Sequence, residues 1–131
     1  MSVVRALAAA LAMSATPALA GLEDEPSITE GLITVGIAYE IADVCPSIDG
    51  RMLRGLQYLL ALKSAAGDLG YTDAEVEAFI DDDRAKDRLE AVARNRLAAK
   101  GAGSGDVEAH CRVGRSEIDS DSQIGRLLAV D

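Results

Sequence analysis

Two cysteines, Cys45 and Cys111, constrain this chain most, because two cysteines can form only one intramolecular disulfide. Cys45 is the last residue of an apolar segment that stops before Pro46, and Cys111 lies on the apolar side of a later segment. Both cysteines are therefore expected to face the core. A Cys45–Cys111 disulfide would close a loop of about 67 residues, which the chain-entropy model values at roughly 4 kcal/mol. The alternatives are two free buried thiols or a redox-active pair, although the chain has no C-x-x-C motif.

The start of the chain, residues 1–20, has the pattern of a secretory signal peptide, which directs a protein to an oxidising compartment where disulfides persist. Arg5 precedes an apolar stretch at residues 6–15, and Ala18 and Ala20 form the small-residue pattern before the expected cleavage after Ala20. A transmembrane helix needs about 20 apolar residues, so this stretch is too short to be an anchor. We therefore predict a periplasmic or secreted protein with no membrane span after cleavage.

Apolar residues recur at three- and four-residue spacing along the rest of the chain, and no segment shows a convincing strand alternation. This pattern predicts an all-α fold, a small bundle of five or six helices with one disulfide. Residues 21–27 are predicted to form a mobile acidic lead, and residues 28–131 a single helical domain. The apolar rows expected to face the core include Met52, Leu53, Leu56, Leu59 and Leu60 of the second helix, Ile80 of the third and Val107 of the fifth.

Local signals predict where the helices begin and end. Two segments have the spacing of a capping box, in which the first side chain and the fourth bond to each other's backbone. The expected N-terminal signals are Ser27 with Glu30, Ser47 or Asp49, Thr72 with Glu75, residues 81–83, and Asp106. The first helix should end near Cys45 because Pro46 cannot continue it. Gly70 is expected to end the second helix in a left-handed conformation.

The chain is acidic, with 13 Lys and Arg residues against 22 Asp and Glu residues and a net charge of −9. Removal of the leader takes away one base, Arg5, and no acid, so the net charge becomes −10. This balance argues against nucleic-acid binding and against a polybasic membrane surface, and it favours basic partners. The bases concentrate in the fourth helix. A possible surface for an unidentified protein partner comprises Arg84, Arg88, Arg94, Arg96, Ile124, Leu127 and Leu128, although the last three residues fit the core as well.

No motif has the spacing that catalysis or metal binding requires. His110 points away from its neighbour Cys111 on a helix and is expected to be half-exposed. Residues 119–123 imitate the start of an EF-hand loop, but the glycine and glutamate that such a loop needs are missing. The chain has neither a nucleophile elbow nor a phosphate-binding glycine loop. We therefore expect no enzyme activity, no metal and no cofactor.

Several stretches resemble a known family. They are residues 33–45, RMLR at 51–54, LGYTDAEV at 69–76, CRVGRSEI at 111–118 and SQIGRLL at 122–128. Together they resemble DUF5333, a family of uncharacterised exported alphaproteobacterial proteins. The resemblance implies a small exported helical protein with two cysteines and no established activity. It also implies an association with respiratory NADH dehydrogenase gene clusters, and hence a respiratory complex as a partner.

These observations predict a small exported non-catalytic protein, an interaction or accessory protein of the periplasm or of an envelope complex. The alternative is an acid-stress periplasmic chaperone, a holdase, because protonation of the 22 carboxylates at low pH would loosen the fold and expose apolar surface. An enzyme is a third possibility, and it would need a pocket that combines His110 with a carboxylate and a hydroxyl.

Overall fold

The computed structural model describes residues 21–131, and the predicted leader lies outside them. Six helices and two short strands follow a single 3-10 turn at Leu22–Asp24. In chain order they are α1 Pro26–Val44, β1 Ile48–Gly50, α2 Met52–Asp68, α3 Asp73–Ile80, α4 Asp83–Ala99, α5 Val107–Asp119, α6 Gln123–Arg126 and β2 Leu128–Val130. The predicted bundle of helices with one disulfide is confirmed. None of the helices within residues 21–131 combines the length and the apolar character needed to cross a membrane.

Side chains at the predicted N-caps start α3, α4 and α5. Thr72 forms a complete capping box with Glu75. The Asp82 carboxylate accepts from two backbone N–H groups of the first turn of α4, and Asp106 does the same for one N–H of α5. At the other end of α2, Gly70 has φ +98°, a left-handed conformation that costs glycine little. These boundaries follow from local interactions, which explains why the sequence alone predicts them.

The capping box expected at Ser27 and Glu30 does not form. Helix α1 begins two residues earlier than Ser27 as N-cap would require, at Pro26, and its N-cap residue Glu25 makes no capping side-chain bond. Proline suits the first turn because its φ is already helical and its missing N–H would have had no partner there. The Glu30 carboxylate binds Arg96 of α4 instead.

The segment expected to cap α2 forms a strand. Neither Ser47 nor Asp49 is the N-cap, because α2 starts only at Met52. Strand β1 pairs with β2 in an antiparallel ladder that places Ile48 opposite Val130 and Asp49 opposite Ala129. Three-residue strands are too short to show an alternating pattern, so the sequence analysis found no sign of them. Their pairing joins positions about 80 residues apart, and no local pattern reports that.

Helix α1 lies at the centre of the main core. Its buried isoleucines Ile33, Ile37 and Ile41 recur every four residues, and α1 packs against α4 on one side and α5 on another. Ile41 and Ile48 meet α5 at Gly114, where a Cβ would lie 2.5 Å from the Ile48 Cδ1 atom. A smaller cluster of buried residues comprises Leu22, Ile28, Ala66 and Val76.

The acidic lead packs on the bundle, in contrast to the mobile segment predicted for residues 21–27. Leu22 is buried in the smaller cluster. The Glu23 carboxylate binds Arg88 of α4, and the Tyr71 hydroxyl donates to the Glu25 carboxylate over 3.0 Å. The prediction overlooked Leu22 as a core residue because a single apolar residue among acids gives no periodic signal.

The predicted disulfide joins the end of α1 to α5. The Cys45 and Cys111 Sγ atoms are 2.03 Å apart, and both residues are buried. His110, expected to be half-exposed, is only 1 % exposed, and its Nδ1 atom lies 2.6 Å from the Asp106 carbonyl oxygen. Helix α5 contacts α1 on one side and both α6 and β2 on another, so three consecutive residues, 109–111, are buried.

Candidate functional site

A half-open apolar groove of about 650 Å³ lies between α1, α2, α3 and α4. Each of the four helices contributes large apolar side chains to it. Among the residues that line this groove are Leu32, Val35, Leu62, Phe79, Ile80 and Leu89. A volume of this size lies within the usual range for a binding site.

The predicted inward face of α2 is only partly covered. Met52 is 85 % exposed, Leu53 69 % and Leu60 57 %, and Leu56 is also more than half exposed. The only buried residue of α2 is Ala66. The prediction that these apolar rows face the core was wrong, because apolar residues occupy more of the helix circumference than the bundle covers.

We call the exposed residues Met52, Leu53, Leu56, Leu59 and Leu60 the α2 face. Leu59 belongs both to this face and to the lining of the groove. Tyr39 of α1 and Ile80 of α3 also line the groove and are largely exposed. The groove and the α2 face therefore form one continuous apolar surface. Ile80, like the α2 face, was predicted to point into the core, and that prediction was wrong.

The segment that carries the α2 face contains bases but no acids, although Arg54 projects from the other side of α2 and bonds to Arg126 of α6. Residues 50–67 contain Arg51, Arg54 and Lys63 but no acid, in a chain whose net charge is −9. The groove rim adds Lys86 and Arg94 from α4, together with Glu40 and Glu90. Arg94 lies 3.8 Å from Glu40, whereas Lys86 forms no ion pair within residues 21–131.

Most of the basic residues of α4 that we predicted as a partner surface bind within the bundle. Arg96 holds Glu30 of α1 through two bonds of 2.6 and 2.7 Å, and Arg88 holds Glu23. The Arg88 and Arg96 hydrogen bonds keep the pKa values of Glu23 and Glu30 below their ordinary 4.5. Of the four predicted arginines, only Arg84 forms no ion pair within residues 21–131.

The last predicted contact segment belongs to the core. Leu127 and Leu128 are buried, and Ile124 is partly buried against the main core cluster. Of the two possibilities for this segment, the structure places it in the core. The candidate interaction surface is therefore the groove with the α2 face, and not the predicted residues of α4 and the chain end. The excess of apolar positions around α2, beyond one helical stripe, is the sequence signal that pointed to it.

The position of His110 bears on the enzyme alternative. His110 does not line the groove, and its Nδ1 atom is paired with the Asp106 carbonyl. Within residues 21–131, no three His, Cys, Asp or Glu side chains are placed to hold a metal ion. Near the disulfide, the Ser47 hydroxyl lies 3.4 Å from the Cys45 Sγ atom and accepts from Arg115 over 3.3 Å. What the arrangement offers is an apolar surface whose rim carries both cations and carboxylates.

The fold and this surface define a small, disulfide-bonded helical protein with an open apolar groove. The chain belongs to DUF5333, a family of unknown function, whose family model matches residues 20–129. The family predicted from the sequence stretches above is thereby confirmed. No curated protein and no solved structure matches the chain.

Proposed function

We propose that this protein is an exported, non-catalytic interaction protein that docks an apolar segment of a partner protein. The observation that carries the proposal is the continuous apolar surface formed by the groove and the α2 face. Soluble monomers rarely expose contiguous apolar patches larger than a few hundred Å², and larger patches commonly mark interaction sites. Met52 and Leu53 are largely exposed, so packing of the bundle does not account for their apolar side chains.

Two features support an exported location. Residues 1–20 have the charge, apolar stretch and small residues of a signal peptide. The disulfide between Cys45 and Cys111 suits an oxidising compartment such as the periplasm. An accessory role in an envelope complex fits both features, and the respiratory complex implied by the family resemblance is one such complex.

The Leu56→Glu substitution tests the docking surface. Leu56 is more than half exposed, so we expect the free energy of unfolding to change by no more than about 0.5 kcal/mol. Binding should weaken at least about tenfold, because one buried leucine contributes about 1.5–3 kcal/mol and a carboxylate would be desolvated in its place. Tagged protein is captured from the periplasm after cross-linking, and its stoichiometric partners are identified by mass.

A matched control is Val107→Glu, which places the same charge on a similarly exposed apolar residue of α5, outside the groove. One stoichiometric partner should be retained by the wild type and Val107→Glu and lost by Leu56→Glu. If Leu56→Glu kept that partner in the same amount, docking on the α2 face would be excluded.

A second candidate function is the acid-stress holdase. The observation that favours it is a set of ion pairs between elements of the bundle. One joins the lead to α4, a second joins α1 to α4, and a third joins the end of α4 to α5. Burial alone raises the pKa of Glu117, but hydrogen bonds from Lys100 and Ser122 outweigh it and leave the pKa below 4.5. Protonation of these carboxylates would loosen the helices around the groove and enlarge its apolar surface.

We expect stability to fall in acid. Glu23, Glu30 and Glu117 have lowered pKa values in the fold, so their stabilisation is complete above about pH 4.5 and is lost as the pH falls further. Asp131 opposes this trend, because the neighbouring Asp49 raises its pKa. Urea midpoints between pH 7 and pH 2 measure the loss, with ANS binding and protection of an aggregating client as parallel readouts.

Glu30→Gln should flatten the acid dependence of the urea midpoint, because glutamine cannot titrate or form the charged pair with Arg96. Asp68→Asn is the control, since Asp68 forms no ion pair within residues 21–131. A chain that stayed folded at pH 2, bound no ANS and protected no client would rule out the holdase.

A further inference from the structure

We propose that a cleft between α2 and α6 binds a small organic carboxylate. The cleft has a volume of about 330 Å³. Two arginines, two glutamines, a tyrosine and a leucine line it: Arg54, Gln57, Tyr58, Gln123, Arg126 and Leu127. None of these residues lines the apolar groove, so the inference does not depend on the docking function.

Helical spacing brings the polar side chains of the cleft together. On α2, Arg54 lies three and four residues before Gln57 and Tyr58, so the three side chains share one face of the helix. On α6, Gln123 and Arg126 are three residues apart and also share a face. The two faces meet because the chain end packs beside the start of α2, where the Arg54 guanidinium donates to the Arg126 carbonyl oxygen over 3.3 Å.

The cleft offers more hydrogen-bond donors than the fold uses. The side chains of Gln57, Tyr58 and Gln123 make no hydrogen bond to any other residue of the described chain. Arg54 makes one such bond, although a guanidinium group has five N–H donors. No lining residue is acidic, in a chain whose net charge is −9. Two guanidinium groups and several neutral donors therefore face one open space.

Asp121 shows which kind of anion these arginines can hold. Its carboxylate accepts from the Arg126 Nε atom over 3.3 Å and from the Arg126 Nη2 atom over 3.2 Å, the two-bond arrangement in which arginine recognises a carboxylate. The hydrogen bond and charge of Arg126, together with the charge of Arg54, lower the pKa of Asp121. Both arginines therefore act on the same carboxylate.

The bond to Asp121 is weak enough for a ligand to compete with it. Its two distances exceed the roughly 2.7–2.9 Å that is usual between a guanidinium and a carboxylate. The Asp121 side chain is also 76 % exposed, and exposed ion pairs contribute little to stability. An incoming carboxylate can therefore bind the free donors of Arg54 and share or replace Asp121 at Arg126.

The remaining walls of the cleft favour a carboxylate attached to an apolar body. Leu127 is buried and Tyr58 is partly buried, so both give the cleft an apolar wall beside its donors. A volume of about 330 Å³ lies at the lower end of the usual range for small-molecule sites. Inorganic phosphate would also attract arginine, but it has no apolar part to contact Tyr58 and Leu127.

The test titrates benzoate, benzamide and inorganic phosphate into the isotope-labelled exported chain and follows the amide chemical shifts by NMR. Benzamide has the shape of benzoate without its charge. We expect benzoate to shift the amides around the cleft and to bind at least about tenfold more tightly than benzamide or phosphate, because hydrogen bonds between charged groups are the stronger ones. Added salt should weaken the binding of benzoate, since it screens the charges.

Variants assign the binding to residues. Arg54→Gln should weaken benzoate binding about tenfold, because it removes a charged donor. Arg84→Gln is the matched control, since Arg84 is an exposed arginine of α4 outside the cleft, and it should leave the affinity unchanged. Asp121→Asn should tighten binding severalfold, because it removes the competing carboxylate. Asparagine tolerates the left-handed φ of +52° at this position, so the fold should be retained.

Several results would overturn the proposal. They are equal binding of benzoate and benzamide, benzoate-dependent shifts only outside the cleft, and an Asp121→Asn variant that binds no more tightly than the wild type. Phosphate binding as tight as that of benzoate would exclude a preference for an organic carboxylate. Circular dichroism of each variant separates lost binding from lost folding, and a folded Arg54→Gln variant with wild-type affinity would also contradict the assignment.

Discussion

Reduction of the Cys45–Cys111 disulfide should lower the free energy of unfolding by about 4 kcal/mol. The bond closes a loop with a sequence separation of 66 residues that contains β1, α2, α3 and α4. When the bond is intact, the unfolded chain is restricted to conformations that keep Cys45 beside Cys111, and reduction removes that restriction. Domains of this size are stable by only about 5–15 kcal/mol in total, so the expected loss is a large share.

Thermal and urea unfolding with and without a thiol reductant measure this effect. At about 4–8 °C per kcal/mol, the melting temperature should fall by roughly 15–30 °C. The double variant Cys45→Ala/Cys111→Ala is the control, because reductant should not change its melting temperature. Its stability should resemble that of the reduced wild type, apart from the cost of the smaller side chains. Unchanged midpoints after complete reduction, verified by thiol labelling, would contradict the expected contribution.

The starts of α3, α4 and α5 could be predicted because each depends on bonds within a short stretch of sequence, and the disulfide could be predicted because the chain has only two cysteines. Thr72 with Glu75, Asp82 and Asp106 cap the helices that follow them, and each bond joins residues two or three positions apart. The disulfide required one further argument, the compartment implied by residues 1–20. With only two cysteines, no choice of pairing remained.

The pairings between distant segments could not be predicted in the same way. Strands β1 and β2 exist because the chain end returns to the segment after α1, and each strand alone is too short to show a pattern. The bonds from Arg88 to Glu23 and from Arg96 to Glu30 join residues 65 and 66 positions apart. An acidic chain offers many carboxylates to each arginine, so the sequence does not select the partner.

The candidate site was missed for a related reason. Apolar spacing shows that α2 has an apolar face, but it does not show whether another helix covers that face. The bundle covers Ala66 and leaves Met52 and Leu53 exposed. The coverage depends on how α1 and α2 cross, and they approach closely near Gly31, where a Cβ would lie 2.5 Å from the Leu62 side chain. Only tertiary packing decides which apolar residues of α2 become core and which remain exposed.

Packing of the chain end against α5 makes Gly125 the most restricted glycine of the described residues. A Cβ at this position would lie 2.0 Å from the Glu117 carbonyl oxygen and 2.3 Å from its carbonyl carbon. These are backbone atoms in a regular helix, so they cannot rotate away as the end of a side chain can. An alanine at this position forces α6 away from α5.

Gly125→Ala should therefore destabilise the fold by about 3 kcal/mol, the upper end of the usual cost of overpacking, because the added Cβ meets backbone atoms. The displacement would strain the bond from the Arg51 N–H to the Leu127 carbonyl, which measures 2.7 Å, and with it the pairing of β1 and β2. Gly55→Ala is the matched control, because Gly55 lies within α2 with nothing near an added Cβ. That substitution should stabilise the chain by about 0.5–1 kcal/mol, since alanine favours a helix. Urea unfolding of both variants measures the change in the free energy of unfolding, which should fall for Gly125→Ala and rise for Gly55→Ala. A Gly125→Ala variant as stable as the wild type would refute the close approach of α5 and α6.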